Sequence, residues 1–264
     1  YTTDAGMNNY VWTVTSGGKI TSGAGTNKVI VDWTEISNQS ITVSYTNAGG
    51  CSGTATKSIT LFPLPTAVIS GSTTVCPEAT AKLSVILTGT SPWKITYTDG
   101  TTSKTISDIF ASPYTFEVTS TAGTSITYTI TEVSDRNSMS NKGSGSAVVT
   151  TYPQISAPIV SNIGTLCYAS EAVLVASAPA NQSGLVKYQW QSSDDNITWT
   201  DIVNANTLNL ATGALYNSVY FRVVASIGTC TSKTSNVVKI TVNEPLTNAV
   251  VSSDQQTVCY GSQP

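Results

Sequence analysis

Histidine is absent from all 264 residues. The commonest general base and the commonest metal ligand are therefore missing, which weighs against acid–base and metal-assisted chemistry. Charge is scarce as well. Lys, Arg, Asp and Glu together make up 10% of the chain, against roughly 25% in an ordinary soluble domain. The net charge is −3 and the 12 basic residues form no block. A phosphate backbone is bound by clustered Lys and Arg, so no nucleic-acid partner is expected. No apolar run reaches the roughly 18 residues of a spanning helix, so no membrane span is expected. The sequence opens at Tyr1 inside a repeat and without a signal sequence, and is expected to be an excerpt of a longer one.

The polar surface is left to Thr, Ser and Asn, which suit strands and turns and are poor helix formers. The stretch from Pro158 to Pro245 reads as one complete module. It carries a cysteine in GTLCYASEAVLVA, an aromatic strand in VKYQWQSS, and a closing pair in SVYFRVVASIGTCTSKTSNVVKITV. Strands with turn signals every 8–12 residues or so predict a β-sandwich of about 100 residues.

The five cysteines give a period. Cys76, Cys167 and Cys259 each precede a strand and are 91 and 92 residues apart. Cys51 and Cys230 form a second set, 179 residues apart, or about two periods. Its middle member would fall near residue 140, where Ser138, Met139 and Ser140 stand instead. One period is a whole sandwich, so the chain reads as a window on a tandem array: modules over 1–65, 66–153 and 154–243, and the start of another over 244–264. Junctions such as TVNEP leave almost no linker, which predicts abutting neighbours and a semi-rigid rod. In the first module Tyr10, Trp12 and Val14 occupy every second position, as do Val29, Val31 and Trp33, and Ile41, Val43 and Tyr45. That is the period of half-buried strands. Asp99–Gly100 is a hairpin signal. In the third module Val186, Tyr188 and Trp190 share a face.

SSDDNITW resembles the Asp-box, Ser-x-Asp-x-Gly-x-Thr-Trp, with Ser192, Asp194, Asn196, Thr198 and Trp199 at its positions. The functional reading is a sugar or calcium site. The preferred reading is a hairpin whose Asp194 side chain bonds turn amides, with Asn196 left-handed. Asp194, Asp195 and Asp201 do not form the spaced series of six to eight oxygens that calcium takes, so no metal and no cofactor are expected. Trp12, Trp33 and Trp190 sit at alternating strand positions and are assigned to cores. Trp93, after Pro92, and Trp199, beside the hairpin, are the expected exposed pair and the candidates for stacking on a bound surface. No nucleophile elbow, P-loop or zinc-spaced set is present, and no carboxylate pair stands out for glycoside hydrolysis. No catalytic residue is assigned, and no enzyme activity is expected.

The opening YTTDAGMNNYVWTVTSGGKITSGAGTNKVIVDW closely resembles the PKD-like repeats of very large Bacteroidetes surface proteins. SGSTTVCPEATAKLSVILTGTSPWKITYTDG and YQWQSSDDNITWTDI look like their sister Ig-like repeats. Together these stretches implicate nearly the whole chain. The resemblance implies an all-β fold of tandem Ig-like and PKD-like β-sandwich modules arranged as a rod. Residues 1–65 would be the C-terminal part of a PKD-like module. It further implies a cell-surface, extracellular adhesin filament exported by the type IX system and used in attachment and gliding motility. The expected partners are adjacent repeats of the same chain, polysaccharide or abiotic surfaces, and the gliding and secretion machinery through other parts of the full protein. The alternative is a carbohydrate-binding or spacer module of a secreted polysaccharide-degrading enzyme.

Cysteines at like places in β-modules suit structural disulfides in an oxidising compartment. Two pairings are open. Cys167–Cys230, within the only complete module that holds both sets, is the first choice. Cys76–Cys230, between neighbouring modules, is the alternative. It follows if the turns bearing Cys167 and Cys230 lie at opposite ends of their sandwich, beyond the 7 Å or so that a bridge spans.

Overall fold

The computed structural model describes residues 1–180 and 185–245. Every helix or strand among them is a β-strand. The further module expected over 244–264, with Cys259, lies outside the described residues from 246 onward.

The first strands are β1 (Asn8–Val14), β2 (Gly18–Ser22), β3 (Ile30–Trp33), β4 (Asn38–Thr46) and β5 (Ser52–Thr60). β1, β4 and β5 form an antiparallel sheet, and β2 and β3 a separate hairpin. Trp12, Val29, Ile41 and Val43 are the buried centre between them, with Tyr10, Val14, Val31, Trp33 and Tyr45 packed on it. Alternation in the sequence thus became one apolar face per strand, as a period of two requires.

Next come β6 (Thr66–Ser70), β7 (Thr73–Val75), β8 (Ala81–Thr88), β9 (Trp93–Thr98), β10 (Ser103–Ile109), β11 (Tyr114–Val118), β12 (Ser125–Ser134), β13 (Ser140–Asn141), β14 (Ser144–Gly145) and β15 (Ala147–Thr151). β11, β8, β6 and β14 form one sheet in that order. β9 lies between β10 and β12 in another. Tyr97 of β9 and Phe116 of β11 meet across the layers, with ring centroids 4.7 Å apart. Alternate residues of β8, Ala81, Leu83, Val85 and Leu87, are buried.

The last group is β16 (Thr165–Leu166), β17 (Val173–Val175), β18 (Val186–Ser193), β19 (Thr200–Asp201), β20 (Asn209–Ala211), β21 (Val219–Ile227), β22 (Lys233–Thr234) and β23 (Val238–Val242). The main sheet runs β16-β23-β21-β18-β19, with β22 also on β21; β17 and β20 pair separately. Leu174 and Leu210 of the small sheet pack with Trp190, Val223 and Ile240 of the large one. Trp190, Val223 and Ile240 are fully buried.

Two compact units result. One holds Tyr1–Thr73, Lys82–Val118 and Ile126–Val148; the other holds Thr74–Ala81, Thr119–Ser125 and the described residues from Val149 onward. The 66–153 stretch contributes to both.

Candidate functional site

The turn between β18 and β19 is held by Asp195, not by Asp194 as the Asp-box pattern predicts. Asp195 Oδ1 accepts hydrogen bonds from the Ile197 N–H at 2.8 Å, the Thr198 N–H at 2.7 Å and the Ser193 hydroxyl at 2.9 Å. Its Oδ2 accepts from the Thr198 hydroxyl at 3.2 Å. These donors favour the ionised carboxylate, the Thr198 amide first and the Ile197 amide next, and lower its pKa to about 2. The turn between β9 and β10 has the same construction. Asp99 Oδ1 accepts from the N–H groups of Thr101 and Thr102 at 2.9 and 2.7 Å, and the Thr102 and Thr101 amides hold its carboxyl well below the usual range. In each turn the aspartate is followed directly by a residue with positive φ, Gly100 at 93° and Asn196 at 60°. That dipeptide, not the Asp-x-Asn spacing, sets the register, since the carboxylate must reach amides two and three residues on.

Trp199 leaves this turn and lies half-buried under a cation, with the Arg222 guanidinium 4.1 Å from its ring centroid. Arg222 Nε donates to Gln191 Oε1 at 2.7 Å, and Gln191 Nε2 donates to Asp201 Oδ1 at 2.7 Å. Gln191 stands opposite both Arg222 and Asp201 in the strand register. A second pair, Tyr220 and Lys239, repeats the motif on β21 and β23, with Lys239 Nζ 5.3 Å from the ring. The side of this sheet away from Trp190 thus carries a polar ladder with two cation-capped aromatics. Its amide and cationic groups can bond hydroxyls, while one face of each ring is taken by its own cation. Among the described residues no group of three His, Cys, Asp or Glu is placed to hold a metal ion.

Trp93, the other expected surface aromatic, is a core residue with 8% exposure. β9 begins at Trp93 itself, so its inward face runs Trp93, Ile95, Tyr97. The indole N–H donates to the Thr88 carbonyl at 2.9 Å. Trp12 donates to the Thr26 carbonyl at 2.8 Å and Trp190 to the Thr207 carbonyl at 2.8 Å. Each tryptophan fills a core and satisfies its one polar atom in the same way, which burial demands.

The expected Cys167–Cys230 bridge is corrected: Cys230 is bonded to Cys76, with Cα atoms 5.4 Å apart. Strand register gives the reason. Leu166 is opposite Val242 on β23, and Ile240 is opposite Val219, the first residue of β21. Cys167 therefore stands at the start of β21, while Cys230 lies beyond its last residue, Ile227. Eight steps at ~3.3 Å place them about 26 Å apart, far outside bonding range. Cys51 and Cys167 are exposed free thiols.

Around the bond, the Tyr152 ring lies against Gly228, where a Cβ would come within 2.4 Å of it, and Gly228 has φ 55°. Ile155, Ala225 and Ile227 form a buried cluster against Cys230. A recess of about 270 Å³ lies beside it, lined by Glu78, Pro153 and Lys233 among others. Tyr152, just past β15 and by the period at the end of one repeat, thus packs on the late hairpin to which Cys76 is bonded.

Residues 2–61 match the PKD-like domain, and residues 156–244 match a domain of unknown function, DUF8696. No curated protein matches the chain. The PKD-like match on an all-β sandwich fold points to a generic extracellular structural or adhesion module. The disulfide is compatible with an extracellular protein. Among the described residues no helix is long and apolar enough to cross a membrane.

Proposed function

We propose that this chain is a repeat segment of a very large cell-surface adhesin filament, acting in surface attachment and gliding motility. The observation that carries the reading is the Cys76–Cys230 bond. It ties one repeat to the next, which a load-bearing tether needs and an isolated binding domain does not. The resemblance of the opening stretch to PKD-like repeats of gliding adhesins supports the finer assignment. In this reading the chain catalyses nothing. Its partners are neighbouring repeats and a polysaccharide or abiotic surface, and other parts of the protein engage the type IX secretion and gliding machinery.

The Trp199–Arg222–Gln191 face favours a second reading, a carbohydrate-binding or spacer module of a secreted polysaccharide-degrading enzyme. One experiment separates the two: antibody against this chain applied to intact producing cells, with a deletion strain beside them. The adhesin reading expects labelled intact cells, and a deletion strain that spreads and attaches poorly. Label confined to culture fluid, with normal attachment and lost growth on a polysaccharide, would overturn it in favour of the second reading.

A further inference from the structure

We propose that Cys167 is a cross-linking site, whose partner is the late-hairpin cysteine of the repeat that follows its own. Its equivalence to Cys76 rests on local structure as well as on the 91-residue spacing. Cys76 follows β7, and its carbonyl accepts from the Ala79 N–H at 3.1 Å. Cys167 follows β16, and its carbonyl accepts from the Ser170 N–H at 3.1 Å. The residue before each donor is left-handed, Glu78 at φ 68° and Ala169 at φ 60°.

The anchoring of the two turns is also the same. The Tyr152 N–H donates to the Val75 carbonyl at 3.0 Å, and the Asn243 N–H to the Leu166 carbonyl at 2.9 Å. Val75 and Leu166 are 91 residues apart, as are Tyr152 and Asn243. Each early-turn cysteine is therefore pinned beside the strand by which the chain leaves its repeat. Cys76 uses that position to bond forward, to Cys230. Cys167 holds the same position, is exposed, and is too far from Cys230 along β21 to bond within its own repeat.

The complementary group is a cysteine ending a tight hairpin turn, as Cys230 does where its N–H donates to the Ile227 carbonyl at 3.0 Å. Cys51 also ends a hairpin turn, between β4 and β5, and has the complementary role. Met139 fills that position in the 66–153 repeat, so not every joint carries the link. Bond formation takes two thiols and one small-molecule disulfide of the glutathione type. The protein thiols give up two protons and two electrons to it, one S–S bond forms, and the small disulfide leaves as two thiols.

Two arms test this, both read by peptide mapping without reduction after oxidation with a glutathione-type disulfide. The first is the full chain carrying Cys76→Ser. It is expected to keep Cys167 and Cys230 unlinked to one another; a Cys167–Cys230 peptide would overturn the proposal. The second is a chain in which residues 154–245 are followed by a further copy of themselves in place of 246–264. Cys167 is expected to link to the Cys230 of the added copy, while Cys76–Cys230 persists. If the added copy folds but closes its own two cysteines on each other, or leaves Cys167 free, the proposal fails. If the copy does not fold, the same mapping of the protein taken from producing cells decides: Cys167 linked to a cysteine of the following repeat supports the proposal, and Cys167 recovered as a free thiol overturns it.

Discussion

At the scale of single residues, the chain fastens its turns with carboxylates and its cores with indoles. Asp195 shows how little charge this takes, because one carboxylate collects four donors. Its folded pKa of about 2 lies below the ~3.9 of an unfolded aspartate. A depressed value stabilises the fold above the unfolded pKa, and that stabilisation is lost as pH falls toward the folded one. Asp195→Asn is therefore expected to lower the melting temperature above pH ~4 and to converge with the parent near pH 2. A carboxyl titration by NMR should place the Asp195 midpoint near 2, and a midpoint near 4 would contradict the turn geometry. The sequence showed this hairpin but misplaced its carboxylate by one residue. The Asp-box pattern pointed to Asp194, whereas the Asp195–Asn196 dipeptide, parallel to Asp99–Gly100, carries the physical signal.

At the scale of elements, alternation was legible wherever a strand buries one face. The cluster around Trp12, Val29, Ile41 and Val43 follows directly from the period of two. Pro92 suggests a loop at Trp93, yet Trp93, Ile95 and Tyr97 share one inward face of β9. Pairing of strands distant in sequence was less legible, since it depends on register that turn signals do not specify. Both disulfide pairings are legible in the sequence, but only the β16–β23–β21 register, which sets Cys167 and Cys230 at opposite ends of β21, decides between them. Trp190 is the central residue of its sandwich, fully buried and bonded to the Thr207 carbonyl. Trp190→Ala removes that packing, leaves a cavity and orphans a carbonyl, so a loss of about 3–5 kcal/mol is expected in denaturant unfolding. A loss below about 1 kcal/mol would show that β18 does not carry this core.

At the scale of the whole molecule, the Cys76–Cys230 bond staples the turn after β7 to the hairpin after β21. The bond joins residues 154 apart in sequence. In the chain-entropy picture a loop that long stabilises the folded state by about 5 kcal/mol. Its mechanical effect is larger, because tension applied at the two ends cannot draw out the chain between Cys76 and Cys230. Pulling single molecules end to end, oxidised and then reduced, measures this directly. At ~3.3–3.6 Å per residue, reduction should release about 500–550 Å of additional contour length. A release of about 210–230 Å, the length between Cys167 and Cys230 at the same rise, or no difference between oxidised and reduced molecules, would contradict a Cys76–Cys230 staple.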